Sequence, residues 1–173
     1  CRHVANVSYY AQPFYLEEFQ RENIWKPLFA SGKMTARGFK RKYRRAIIGL
    51  PSGYGKSETC AGILLTVATM EPVHNGQYGM VASSKDQIRN VYEKICTMIN
   101  PTWREQWDIG KNIITHKETN AKIMILPNTA DALESWHFNF LIFDELHTYP
   151  DSKVWDAGVK GQKVLWNPLT VGI

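Results

Sequence analysis

The sequence predicts an α/β domain whose mainly parallel sheet is covered by helices on both faces. Short apolar runs at 46–50, 78–83 and 138–143 have the length of buried strands. Longer segments at 57–70 and 85–99 lie between them and have the length of helices. Strands that alternate with helices of this size build crossover units, and those units bury a parallel sheet between helical layers.

Each element follows from local chemistry. Residues 13–30 place Phe14, Leu16, Phe19, Ile24, Leu28 and Phe29 on one side of an amphipathic helix, with Pro27 as its expected kink. Residues 33–45 follow as a basic stretch that reads as a loop, its Lys and Arg residues interleaved with Phe39 and Tyr43. The run at 46–50 stops at Pro51, where the backbone loses a donor. The helix at 57–70 ends at Glu71-Pro72 and Asn75-Gly76. On 85–99, Ile88, Val91, Tyr92, Ile95 and Met98 form a helical face that Asn100-Pro101 closes. Strands at Ile113-Ile114 and 123–126 suggest a hairpin around 117–120. Residues 154–164 are expected as a helix and 168–173 as a last strand.

Composition bounds the function. The chain has 173 residues, 44% hydrophobic and 21% charged, so one folded domain is expected rather than disorder. A net charge of +5 favours polyanionic partners. Residues 33–45 carry much of that excess, read equally as a solvated surface or a phosphate-backbone contact. Cys1, Cys60 and Cys96 lack the spacing of a zinc site or disulfide framework and read as free thiols. No apolar stretch reaches the length of a spanning helix and no export pattern precedes the fold, so a soluble, intracellular protein without a membrane partner is expected. The first residue is Cys1 rather than Met, which reads as a trimmed product.

Two local patterns carry chemistry. Leu50-Pro51-Ser52-Gly53-Tyr54-Gly55-Lys56-Ser57 follows the phosphate-loop (Walker A) pattern except that Leu50 replaces its first glycine. Gly53 and Gly55 let the backbone curl so that successive N–H groups face one anion, backed by the positive end of the next helix. Lys56 then reaches terminal phosphates and Ser57 ligates Mg²⁺. The strand 140–143 ends at Asp144 and Glu145, at the sheet edge where ligands of open α/β folds bind. Asp144 is the expected Mg²⁺ partner and Glu145 the residue that activates water, the arrangement of a Walker B strand. The pair favours ATP over GTP, and no Asn-Lys-x-Asp run is present.

The combined motifs resemble one family. Gln20 on the first helix, the basic run 41–45, the loop 51–58 through Glu58, ASSKDQIR at 82–89, Asp144-Glu145-Leu146-His147 and Asn167-Pro168-Leu169 are similar to the large terminase subunit of tailed bacteriophages. The resemblance covers nearly the whole chain. It implies an ATPase with the RecA-like P-loop fold that packages double-stranded DNA into a procapsid, joined in the family to a C-terminal nuclease domain. It further implies that Gln20 contacts adenine, that residues 52–58 hold the nucleotide, and that ATP and Mg²⁺ are required. By the same resemblance its partners are DNA, the portal of the procapsid, the small terminase subunit and identical copies in a ring, in the cytoplasm of an infected bacterial host.

Some positions depart from the family. The phosphate loop contains no arginine and Leu133-Glu134-Ser135-Trp136 contains no trans-acting one, so Arg89 and Arg104 stand as candidates for an arginine finger. His147 reads as a coupling residue or as a structural hydrogen-bonding group. The family's Thr-rich coupling motif and its nuclease carboxylates are not in the chain, so residues 1–173 are expected as a single truncated ATPase domain. Residues 1–45 would form its adenine-side helical extension and basic loop. Two other readings stay open at this point: a helicase-type ATPase, which Asp-Glu-Leu-His echoes, and a nucleotide-binding assembly module without hydrolysis.

Overall fold

A computed structural model describes residues 4–5, 13–51, 53–71, 73–99 and 104–173, with side chains from residue 15 onward. The expected helix stops at Pro72 and at Asn100-Pro101 fall outside the described residues. Two short strands, β1 (Val4–Ala5) and β2 (Pro13–Phe14), pair antiparallel. Helix α1 (Glu18–Gln20) runs into a π-helical segment, Arg21–Ala30. The sequence predicted a helix from residue 13. Helix begins instead at Glu18, and Pro27, which lacks an N–H, sits in the widened turns.

The basic stretch is not a loop. It forms a hairpin of β3 (Gly32–Thr35) and β4 (Gly38–Arg41), tied at its turn by the Thr35 hydroxyl donating to the Gly38 carbonyl at 2.7 Å. Its lysines and arginines mask the alternation by which a strand is read.

The main sheet has seven strands in the order β5 (Arg45–Ile47), β11 (Leu169–Gly172), β10 (Phe140–Phe143), β6 (Gln77–Ala82), β9 (Lys122–Pro127), β8 (Ile113–His116), β7 (Trp107–Ile109). The first five run parallel, β8 runs against β9, and β7 runs against β8. The predicted hairpin is β8–β9; β7 is too short to stand out in the sequence.

Side-chain alternation assigns each strand residue to a face. Tyr78, Met80, Phe140 and Ile142 pack under α2 (Lys56–Met70) and α3 (Lys85–Ile99), joined by Ile24, Trp25 and Leu28 of the N-terminal helix. Val81, Leu141 and Phe143 face α4 (Ala130–Glu134) and α5 (Lys153–Lys160) through Leu133, Val154 and Ala157. Gly158 permits that second layer to close, because a Cβ there would collide with Leu141. Past Lys160 the chain tightens into a 3₁₀ turn at Gly161–Val164, so the helix predicted over 154–164 is shorter than expected.

Candidate nucleotide site

The five parallel strands all end at one edge, and the loop leaving β5 meets the acid pair leaving β10 there. Gly53 and Gly55 take φ of 84° and 66°, the left-handed region in which a side chain is strained. Space does not demand glycine at either place, since a Cβ would meet nothing closer than Glu58 at 3.8 Å. The curl itself selects the residue. Gly55 caps α2, whose first turn contains Lys56, Ser57 and Glu58, and the Thr59 N–H donates to the Gly55 carbonyl at 2.8 Å. The first N–H groups of a helix lack intrahelical partners, so this terminus faces the cleft as an anion acceptor. Ser52 lies outside the described residues.

The acid pair is held by the sheet. The Asp144 N–H donates to the Val81 carbonyl at 3.0 Å, and the Leu146 N–H to the Ile173 carbonyl at 2.8 Å. Asp144 is buried, and its Oδ1 has no hydrogen-bond partner. Burial, reinforced by the Glu145 charge, raises its carboxyl above the usual range. Glu145 occupies the left-handed region at φ 53°, a strained backbone of the kind that concentrates at functional sites.

Loop and acids touch. Lys56 Nζ lies 2.8 Å from Glu145 Oε1, both side chains mostly buried. This bond raises the lysine above its ordinary value. His147 Nε2 stands 3.4 Å from Glu145 Oε2 and is largely exposed. Beneath them Cys60 is fully buried, and its thiol is pushed well up by desolvation and by the neighbouring Asp144 and Glu145.

The remaining predicted residues divide. Glu58 pairs with Lys94 of α3 at 2.6 Å, a contact that no spacing in the sequence announces. Tyr54 is exposed and stands edge-on to Phe19 at 5.8 Å. Gln20 is buried with both ends of its amide used: Oε1 accepts from the Glu17 N–H at 3.0 Å and Nε2 donates to Thr59 Oγ1 at 3.3 Å. It therefore fastens the N-terminal helix to the first turn of α2. Arg89 is exposed and pairs with Glu93 at 2.9 Å, while Arg104 begins an exposed 3₁₀ turn at Arg104–Gln106.

An unpartnered buried carboxylate oxygen, on the residue next to the glutamate that bonds the phosphate-loop lysine, fits a divalent cation or its bound water. Among the described residues no group of three or more His, Cys, Asp or Glu forms a metal cage. A cation here would draw most of its ligands from phosphate and water, as Mg²⁺ does.

A mainly parallel sheet with a curled glycine loop at its edge, and an acidic strand answering it across the cleft, defines a P-loop nucleoside-triphosphatase fold. Residues 28–173 match the family model described as terminase large subunit, ATPase domain, and the chain belongs to that family. No curated protein is significantly similar in sequence. The large terminase of bacteriophage HK97 superimposes with a TM-score of 0.82 at 23% identity, over 98% of this chain and 35% of that one. The ATPase domain of the Thermus phage P74-26 large terminase gives 0.60 at 15% identity, over 76% and 59%. The large terminase of a thermophilic bacteriophage, solved in complex with ADP, gives 0.57 at 16% identity, over 74% and 32%. The chain thus spans about a third of the HK97 protein and of the ADP-bound one. Among the described residues no helix is long and apolar enough to cross a membrane.

Proposed function

We propose that this chain is the ATP-hydrolysing motor domain of a viral terminase large subunit, which moves double-stranded DNA into a procapsid. The Lys56–Glu145 bond carries the reading, because it puts the phosphate loop and the acid pair on one cleft. Arriving phosphates compete for Lys56, which leaves Glu145 for them and frees that carboxylate. Glu145 then orients the attacking water and accepts its proton. Residues 52–58 grip the phosphates through backbone N–H groups, and Gln20 serves the adenine side by exchanging its bond to Thr59. Ser57 and Asp144 would hold Mg²⁺, which neutralises charge developing on the transferred phosphoryl group. His147, against the second oxygen of Glu145, is placed to sense that release.

From the family we infer the assembly around it: identical copies in a ring, DNA, the portal of the procapsid and the small terminase subunit, in the cytoplasm of an infected bacterial host. A nuclease activity would belong to the full-length protein.

The test is phosphate release by a chain extended past Ile173, with and without DNA, alongside nucleotide binding. Lys56→Ala should abolish binding, and Glu145→Ala should bind yet not turn over. Turnover retained by both variants would mean that the chemistry happens elsewhere.

A further inference from the structure

At the opposite edge of the sheet, where the parallel strands begin, the β3–β4 hairpin docks on residues 161–167. The Asn167 Oδ1 accepts from the Arg41 N–H at 3.0 Å, and its Nδ2 donates to the Phe39 carbonyl at 3.2 Å. The Arg44 guanidinium donates to the Gln162 and Leu165 carbonyls at 3.4 and 3.3 Å. Two clefts flank this seam. One, of about 390 Å³, has Lys42, Arg44, Arg45, Lys163 and Gln162 as its polar lining and no carboxylate. The other, of about 500 Å³, contains Arg37 and Trp166, and its single carboxylate, Glu71, is bonded by the buried Arg41. The Trp166 ring carries two cations, Lys40 Nζ at 4.7 Å and the Arg37 guanidinium at 5.2 Å from its centroid.

Every Asp and Glu of the chain is among the described residues. None forms an ion pair with Arg37, Lys40, Lys42, Arg44, Arg45 or Lys163. Six cations gathered on one edge repel one another unless an external polyanion offsets them. Lys85, Lys111, Lys117 and Lys122 are also without ion pairs, so what sets this edge apart is the crowding of its cations beside a cleft that contains no carboxylate.

We propose that the β3–β4 hairpin and residues 161–167 form a docking surface for the phosphodiester backbone of duplex DNA, at the far edge of the sheet from the nucleotide. This rests on the DNA-motor reading. A duplex presents one charge per about 1.7 Å of axis, a density that a row of unpaired cations matches without base contacts. Trp166 holds Arg37 and Lys40 in place, which lowers the cost of ordering them.

The test is duplex binding by fluorescence anisotropy across a salt titration, on wild type and two triple variants of equal charge change. Lys42→Gln/Arg45→Gln/Lys163→Gln should weaken binding at least tenfold at 0.15 M salt, and removing three phosphate contacts should lower the salt slope by about 2.7. Lys85→Gln/Lys111→Gln/Lys117→Gln removes three cations outside the proposed surface and should change affinity less than twofold. Circular dichroism and melting check that both variants fold. Equal loss in the two variants, or none in the first, overturns the proposal, as does displacement of the duplex by polyglutamate at matched charge or by millimolar inorganic phosphate. Binding of a fluorescent ATP analogue should be unchanged in both triple variants and lost in Lys56→Ala. If Lys56→Ala still binds it while the first triple variant loses DNA, the nucleotide-site reading fails and this surface stands.

Discussion

The nucleotide site and the cleft at the opposite edge of the parallel sheet treat positive charge in opposite ways. At the edge where strands end, Lys56 rests on Glu145 and Lys94 on Glu58, each cation already neutralised by a carboxylate of the protein. At the edge where strands begin, Arg45, Lys42 and Lys163 line a cleft without a carboxylate. In the proposed mechanism the first arrangement is a set of exchangeable bonds: an incoming phosphate displaces an internal anion, and the displaced group is set free to act. The second has no internal anion to displace, so a ligand gains the full attraction and loses it steeply as salt rises. On the two proposals together, chemistry and grip are kept apart on one small sheet.

Substitutions can break that contrast, and the largest effect should come from Glu145→Gln. It keeps shape and removes the proton acceptor, so turnover should fall by about 10²-fold or more while duplex affinity stays level. Phosphate release measured against anisotropy on the same preparation checks both halves, and a matching fall in duplex affinity would dissolve the distinction between the edges. Next comes Arg41→Met. Arg41 is the one cation of the basic hairpin buried against Glu71 and Asn167, so its loss should cost about 3 kcal/mol by urea denaturation. A cost near zero would show that the hairpin does not depend on that anchor.

Asp144→Asn probes the cost of a prepared site. Burial raises the Asp144 carboxyl in the folded state, so folding strengthens its hold on a proton. Stability from that proton is complete below the unfolded carboxyl value and is lost as pH rises through the folded one. The variant should therefore melt at or above the wild-type temperature at pH 7. That advantage should shrink as pH falls toward 4. Unchanged differences across that range would remove burial as the cause. Smallest is Arg89→Ala, whose exposed partner Glu93 lies one helical turn away; thermal melts should show no resolvable change.

Much of this was legible in the residues. Helix α3 spans Lys85–Ile99 as its apolar period predicts, and α2 starts one residue before expectation, at Lys56. The strand before Asp144 is two residues shorter than the apolar run that announces it, because Phe138 and Asn139 enter from a bend. Hidden elements are those whose signal is weak by nature. In the β3–β4 hairpin charged residues obscure alternation, and α4 has only five residues. At the site, motif spacing located the loop and the acids, and their meeting through Lys56 and Glu145 agrees with it. Spacing alone had no access to the side-chain partners. That Gln20 bonds Thr59, and that Lys94 reaches Glu58, depends on how helices from distant parts of the chain lean together.

Strand β11 lies between β5 and β10, hydrogen-bonded to both. Neighbouring strands stand about 4.8 Å apart, so two steps hold the roots of the loop and of the acidic turn roughly 10 Å from each other. The gauge of this jaw is thus set by main-chain ladders, and side-chain replacement can alter what is gripped without altering how wide it opens. Any stroke that closes the jaw must come from the tips beyond Ile47 and Phe143, or must shear the ladders themselves.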